Sequence, residues 1–402
     1  MLSSHVFDLY RKPTSDDSIN RVDSRTYLPF IHSFNNNDII EITINRNDVW
    51  LLMYDAALII EGTLQRTSGD GVVRFAENGP AFFFDSITYE LNGVEIDHVK
   101  DPGIVSTLRA YCCYDEATSQ RMYTAGWNYP NYFSINADGS FYIRMPLKHL
   151  LSVFNDYRTA MCGKHTIRLV RSRNDDNGLL IANGATKGKL TITNIELKVK
   201  HIVPNDELKI NLLQSIRSDQ PILIPYRKWE LHELPALTSG AEKEIWSVKT
   251  TPAVECPRYV IVAFQTNRKD NLKENPTLFD PINVRNIKVQ LNGEYFPYES
   301  MGLNFDKNKY AEAFHNYAEF PSTFLNCIKQ QPLLTYSAFK NRTLFVIDCS
   351  RRDESLKSST VDVKVEIEAN DGFPANTRAY CIIIHDSIIE HLPLSEIVRK
   401  VN

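Results

Sequence analysis

The feature that most limits what this chain can fold into is an internal duplication. Ile87-Thr-Tyr-Glu-Leu91-Asn92-Gly93 recurs about half a chain later as Ile287-Lys-Val-Gln-Leu291-Asn292-Gly293. Each is a run of alternating apolar and polar residues ending in Asn-Gly, the dipeptide that accepts the positive φ angles of a tight turn. Three further pairs keep the same order: Leu58–Leu64 with Val260–Thr266, Lys164–Val170 with Val361–Ile367, and His201–Pro204 with His391–Pro393. Four ordered matches point to two copies of one supersecondary plan rather than a chance likeness among strands.

The plan is β-rich. Asp38–Asn45, Leu190–Lys200 and Thr360–Glu368 alternate with period 2, as strands with one wet and one buried face do. Gly, Asn, Asp and Pro clusters break the chain at short intervals, the punctuation of sandwiches and barrels. Helical periodicity is confined to Gly103–Tyr114, Leu147–Phe154, Asp206–Ile216 and Lys307–Tyr317. The expected layout is all-β: an arm over residues 1–26, one β-domain over 27–204, a linking helix within 205–220, a second β-domain over 221–393 and a tail over 394–402. Asp206 is the expected cap of the linking helix. Leu208, Ile210, Leu212, Leu213 and Ile216 give that helix an apolar side.

With 402 residues, 43% of them hydrophobic, each half can bury a real core. The net charge of −4 argues against a large, uniformly basic surface of the kind that tracks a phosphate backbone. Seven cysteines are scattered, odd in number and without a CxxC pair, so reduced, buried thiols are expected. The start of the chain lacks a basic-then-apolar leader, and no apolar run approaches the ~18 residues of a membrane span.

A search for catalytic grammar finds none. Gly184-Ala-Thr-Lys-Gly188-Lys189-Leu190 has the wrong spacing for a phosphate loop and ends in Leu where a hydroxyl must hold magnesium. His385-Asp386 and Glu390-His391 on a strand point to both faces, so the four cannot meet one metal. His98, His165 and His232-Glu233 are isolated. Cys112-Cys113 and Cys162 lack a catalytic context, and Asp115-Glu116 and Asp353-Glu354 read as loop charge. No catalytic, cofactor-binding or metal residue is therefore assigned, and no cofactor is expected. Basic residues gather at Arg11-Lys12, Arg351-Arg352 and Lys164–Arg173. In the last, Lys164, Arg168, Arg171 and Arg173 suggest a cationic strand face suited to a neighbouring subunit or to packaged nucleic acid. The sequon Asn341-Arg342-Thr343 reads as silent.

Beyond architecture, Ser4-His-Val-Phe-Asp-Leu-Tyr-Arg-Lys-Pro13, the block Phe83–Ile96 and the segment Asp280–Gly293 resemble the double-jelly-roll major capsid proteins of small eukaryotic DNA viruses and Polinton-like (adintovirus-like) elements. The likeness covers nearly the whole chain. At 402 residues the chain is short for the Polinton group, which suggests trimmed loop insertions. The resemblance implies two tandem eight-stranded jelly rolls with short inserted helices. It also implies a pseudo-hexameric homotrimer and an icosahedral shell around double-stranded DNA, with no enzymatic activity. The implied partners are copies of itself, neighbouring capsomers and penton or minor capsid proteins, with weak contact of the inner face to packaged DNA and no membrane span. The implied location is the virion, after assembly in host cytoplasm or nucleus. A tandem β-sandwich that binds carbohydrate or another ligand, with Trp127-Asn-Tyr-Pro-Asn-Tyr132 stacking on sugar rings in the first case, is the alternative. Oligomeric state separates the two.

Overall fold

Both Leu-Asn-Gly motifs close two-residue hairpins. In the computed structural model, β4 (Phe84–Leu91) turns into β5 (Val94–Lys100), and β13 (Val284–Leu291) turns into β14 (Glu294–Phe296). Asn92 and Gly93 have φ of 51° and 81°, and Asn292 and Gly293 have 49° and 98°. Two left-handed residues in a row match the twist of the strands they join. Each Asn side chain adds a second device. Asn92 Oδ1 accepts from Lys164 N at 2.8 Å, and Asn292 Oδ1 accepts from Asp362 N at 2.8 Å. The turn is thereby fastened to the next strand of its own sheet. The structure describes residues 18–401 apart from 69–70, 128, 130–134, 137, 183–186, 252–254, 327–329 and 351–359.

Around these hairpins each half builds two facing sheets. In the first half, β1 (Ile19–Tyr27), β9 (Lys187–Pro204), the distal part of β2 (Ile39–Ser68) and β6 (Ser140–Pro146) form one sheet. The proximal part of β2, β7 (Met161–Arg171), β4 and β5 form the other. β2 passes from one sheet to the other through register shifts between Arg46 and Leu51 and between Leu52 and Ala57. In the second half, β10 (Ile222–Leu234), β17 (Thr377–Leu392), β12 (Tyr259–Thr266) and β15 (Phe345–Asp348) face β11 (Lys243–Thr251), β16 (Val361–Ala369), β13 and β14. Counting β2 as two, and setting aside the short C-terminal strand that extends the second, each half has eight strands in the same order, which is a jelly roll. The first also carries a ribbon of β3 (Val72–Phe75) and β8 (Leu179–Ala182). Ile42, Ile60, Ile167 and Leu197 line one core, and Val262, Phe264, Ile287 and Val365 the other, all fully buried.

Helices sit at the loops. The first domain carries α1 (Pro102–Cys113), α2 (Glu116–Arg121), α3 (Leu147–Leu150) and α4 (Val153–Asp156). Between the domains runs α5 (Asp206–Arg217), and the second domain holds α6 (Ala311–Phe324) and α7 (Tyr336–Phe339). Two details differ from expectation. Asn205, not Asp206, caps α5 by accepting from Leu208 N at 2.7 Å, and no residue of α5 is buried. The helix read at Lys307–Tyr317 starts later and runs further, because a bridge between Asn304 and Lys309 and the left-handed Asn308 occupy its expected first turn.

Both chain ends also hold strands where sequence reading saw none. β1 takes up the end of the expected arm, from Ile19 on, and Ile397–Val401, in the expected tail, forms β18 against β17. Both are edge strands with little apolar alternation: β1 buries no residue, and β18 buries Val398 alone. β18 has a counterpart in the first domain. Leu51 stands opposite His201 on β9, as Val398 stands opposite His391 on β17, and both apolar side chains are buried. The C-terminal strand thus takes the place that Trp50–Leu52 takes in the first copy.

The Asn-Gly turns generate a stability prediction. Asn292→Ala puts a residue that tolerates left-handed φ less well than Asn into the turn and removes the cap on Asp362 N, at a combined cost of about 2 kcal/mol. Asn292→Gly keeps the turn and loses only the side chain's bonds to Asp362 N and Thr360 O. Urea unfolding should rank wild type above Gly and Gly above Ala; equal midpoints for Ala and wild type would contradict this role.

Candidate assembly surfaces

A buried junction holds the two jelly rolls together. Its upper part is built from α1 and α6, which pack on each other. Tyr111 on α1 donates to Glu77 Oε1 at 2.8 Å, Arg342 Nη2 reaches Glu77 Oε2 at 3.1 Å, and Arg342 Nε donates to Tyr111 Oη at 3.0 Å. Tyr317 on α6 donates to Tyr111 O at 2.9 Å and in turn accepts from Leu334 N. Burial raises the pKa of Glu77, while the Arg342 charge and the bonds from Tyr111 and Arg342 pull it down. The cleft here is lined by Glu77, Arg268, Asp280 and Arg342. Its second cation is taken too, since Arg268 pairs with Asp280 at 2.6 Å.

The lower part joins β5 and α4 to β10. Tyr226 Oη donates to Ile96 O at 2.6 Å. Arg227 grips Asp156 with its backbone N, Nε and Nη2 at 2.9, 3.0 and 2.8 Å, and its guanidinium lies 3.9 Å over the Phe324 ring. At the base, Asn92 Nδ2 donates to Glu396 O at 3.1 Å and contacts His391 Nε2 at 3.3 Å. One hairpin turn therefore fastens both its own sheet and the second domain's end.

The residues singled out for chemistry scatter. On β17, His385 and His391 face inward. Asp386 and Glu390 lie outward, where Arg258 and Arg399 pair with them at 2.9 and 2.6 Å. Among the described residues no group of three His, Cys, Asp or Glu is placed to hold a metal. Asp115 caps α2 by accepting from Thr118 N at 2.8 Å. His98 bonds Thr88, and His232 stands 3.5 Å from Glu230. Cys112, Cys162 and Cys381 are buried, and burial pushes the Cys113 thiol up to about 12. Ser4–Pro13, Gly184–Thr186, Cys327, Arg351-Arg352 and Asp353-Glu354 lie outside the described residues.

Two readings are corrected. Lys164–Arg173 is not a free cationic face: Arg171 is buried, pairs with Asp175 at 2.7 Å and donates to Phe34 O and Phe83 O. Arg168 sits between Glu41 and Glu90 from the neighbouring strands. Trp127 is not an exposed stacking platform. It is fully buried with Nε1 donating to Ser119 Oγ at 2.9 Å, while Asn128 and Pro130–Tyr132 lie outside the described residues.

Exposed apolar side chains are spread over the surface, Ile39, Tyr142 and Ile245 among them, and some lie on strand edges and linkers. Leu28 and Phe30 follow β1, Tyr295 and Tyr298 stand on and after β14, and Ile210 and Leu213 project from α5. Scattered apolar side chains are ordinary on a surface, but neighbouring ones on free edges mark contact sites.

The junction generates two predictions. Arg342→Met strands Glu77 in a buried site and should cost about 3–5 kcal/mol, of which Glu77→Gln on top recovers part; additive losses in urea unfolding would show that the two do not act as a pair. The second concerns pH. His149 and His165 are held neutral, with burial lowering each pKa from 6.5 to about 3, and the Arg109 and His391 charges adding to it. The unfolded chain binds these protons near pH 6.5 and the folded chain does not. This contribution is complete above pH 6.5 and is lost as pH falls toward 3, by up to ~1.4 kcal/mol per pH unit for each histidine. Asp101, raised to about 6 by burial, acts oppositely below pH 6 because the folded state takes its proton first. His165→Gln should flatten the fall in urea midpoint between pH 7 and pH 5; an unchanged slope would contradict the assignment.

Comparison with known proteins agrees with this architecture. The chain is similar in structure to a chain of the Sputnik virophage (TM-score 0.65, 10% identity, covering 100% of this chain and 92% of that one). It is also similar to the Faustovirus major capsid protein (TM-score 0.61, 10% identity, 96% and 92%) and to the mavirus major capsid protein (TM-score 0.58, 10% identity, 94% and 90%). No curated protein matches it in sequence. The family model described as a double jelly roll-like domain matches residues 73–389. Eight strands repeated in one order and that match together place the chain: it belongs to the double jelly roll-like domain family.

Proposed function

We propose that this chain is a major capsid protein, and that three copies form a pseudo-hexameric capsomer tiling an icosahedral shell around double-stranded DNA. The observation that carries this reading is the duplication itself, two jelly rolls of one topology held by a buried junction. Such a chain offers two similar faces in fixed relation, and three chains offer six, which suits a three-fold object to a six-fold lattice position. The fold shared with Faustovirus and mavirus major capsid proteins supports the same conclusion.

The protein then acts as a structural component of the virion, not as an enzyme, assembled in host cytoplasm or nucleus. Its partners are its own copies, neighbouring capsomers and penton or minor capsid proteins, and its closest biological setting is a small DNA virus or Polinton-like element. The division given above is proposed with shifted edges: β1 belongs to the first jelly roll, so the arm ends before Ile19, and β18 extends the second jelly roll into the expected tail. Any contact with packaged DNA has to use cations other than Arg168 and Arg171, which are already paired.

Light scattering on the purified protein tests this. The expected mass is three times the 46.1 kDa chain. A monomer that persists at high concentration and across salt conditions would sink the reading and favour the carbohydrate-binding alternative.

A further inference from the structure

The two Asn-Gly turns are built alike and used differently. In each, the side-chain oxygen accepts a backbone N–H from the next strand, Lys164 N for Asn92 and Asp362 N for Asn292, both at 2.8 Å. That bond decides which way the amide faces, because turning it over would set its NH2 group against another N–H. Asn292 Nδ2 then donates to Thr360 O inside its own domain. Asn92 Nδ2 instead donates to Glu396 O at 3.1 Å and meets Nε2 of His391 at 3.3 Å, both at the end of the second domain. His391 lies on β17 and is 3% exposed. A ring nitrogen that meets a fixed amide donor has to accept, so His391 is held in the neutral form with its proton on Nδ1.

The duplication supplies a control. The counterpart of His391 is His201, and its Nε2 meets the Tyr27 hydroxyl at 2.7 Å. A hydroxyl both donates and accepts, so that contact survives protonation of the ring; the clamped Asn92 amide only donates. The strands beside the turn differ between the copies as well. Leu91 stands opposite His165 where Leu291 stands opposite Val363, and Tyr89 occupies the place of Val289. His165 Nδ1 bonds Tyr89 Oη at 2.9 Å, and its buried Nε2 has no partner among the described residues. We infer that His391 is a proton-operated latch between the two domains. Neutral, it accepts from Asn92 and helps hold the second domain's C-terminal end on the first domain's turn. Protonated, it sets N–H against N–H and lets go. Burial holds its pKa below 6.5, while the charges of Asp219, ahead of β10, and Glu396, ahead of β18, pull it up. His165 on β7 is the cationic neighbour once it titrates, and Glu390 and Arg399 alongside are paired with each other. The latch is thus closed above pH 6.5 and opens as pH falls through the lowered value of the folded protein.

A double-mutant cycle in urea unfolding, run on the full chain at one protein concentration, tests this. Asn92→Gly keeps the left-handed turn and removes the amide, and His391→Phe removes the acceptor. At pH 7.5 the two should be coupled by about fivefold in the unfolding constant, the usual net worth of one hydrogen bond. At pH 4.5 the coupling should drop below about twofold, since acid effects elsewhere cancel within the cycle. A coupling that keeps its size at pH 4.5, or none at pH 7.5, would overturn the inference. Asn92→Asp reverses the sign and does not rely on His391→Phe folding. Its carboxylate still accepts from Lys164 N, and it accepts from the His391 imidazolium as well. Relative to wild type at the same pH, its urea midpoint should therefore rise as pH falls from 7.5 to 4.5. The rise should disappear in the His391→Gln background, which does not titrate. A flat or falling difference, or a rise that persists with His391→Gln, would also overturn the latch. Both arms read a contact within one chain, so they stand whether or not the chain forms a trimer.

Discussion

The architecture depends on the buried contact between the two domains. Without it the chain is two sandwiches on a string; with it the chain is one body with two similar flanks in fixed relation. Its components are unusual for a domain interface: an ion pair between Glu77 and Arg342 closed by the Tyr111 hydroxyl, and Arg227 held by Asp156 through three bonds while stacked on Phe324. Buried charge is a poor source of net stability, because desolvation offsets most of the attraction. It is an effective source of uniqueness, since any other docking of the two sandwiches leaves a charge or a hydroxyl without a partner. The junction therefore does more to define the angle between the domains than to hold them together. The apolar packing of α1 on α6 and of β5 on β10 supplies cohesion.

The duplication explains features that look arbitrary in one domain alone. β18 is needed because the second copy lacks the long β2 of the first, whose residues Trp50–Leu52 pair with the end of β9. The C-terminal strand restores that pairing from the other end of the chain. The two Asn-Gly turns perform one task twice, yet their spare donors differ. Asn292 Nδ2 bonds Thr360 O in its own domain, whereas Asn92 Nδ2 reaches across to Glu396 O. α5 connects the two domains with Leu208, Leu212 and Ile216 half-buried and Ile210 and Leu213 exposed, as expected of a connector that adds little to either core.

Much of this was legible in the sequence, and the misses share a cause. Strands inside a sheet announce themselves through alternation, and the Asn-Gly turns fixed the repeat. β1 and β18 did not show because edge strands bury one side chain or none. Lys164–Arg173 looked like a cationic face because Glu41 and Glu90 come from strands distant in sequence, and because Arg171 turns inward to Asp175. Trp127 looked exposed amid Asn, Tyr and Pro, yet its indole nitrogen has a partner in Ser119 that only folding supplies. The Glu77–Arg342 pair joins residues of different domains, and no local pattern marks either one.

The central claim is that the duplication serves to give a three-fold assembly six similar sides. Single-particle imaging of the purified protein tests it most directly. The expected image is a hexagonal outline with true three-fold symmetry and two alternating jelly-roll densities around the ring. A monomer, or a ring of another order, would contradict it.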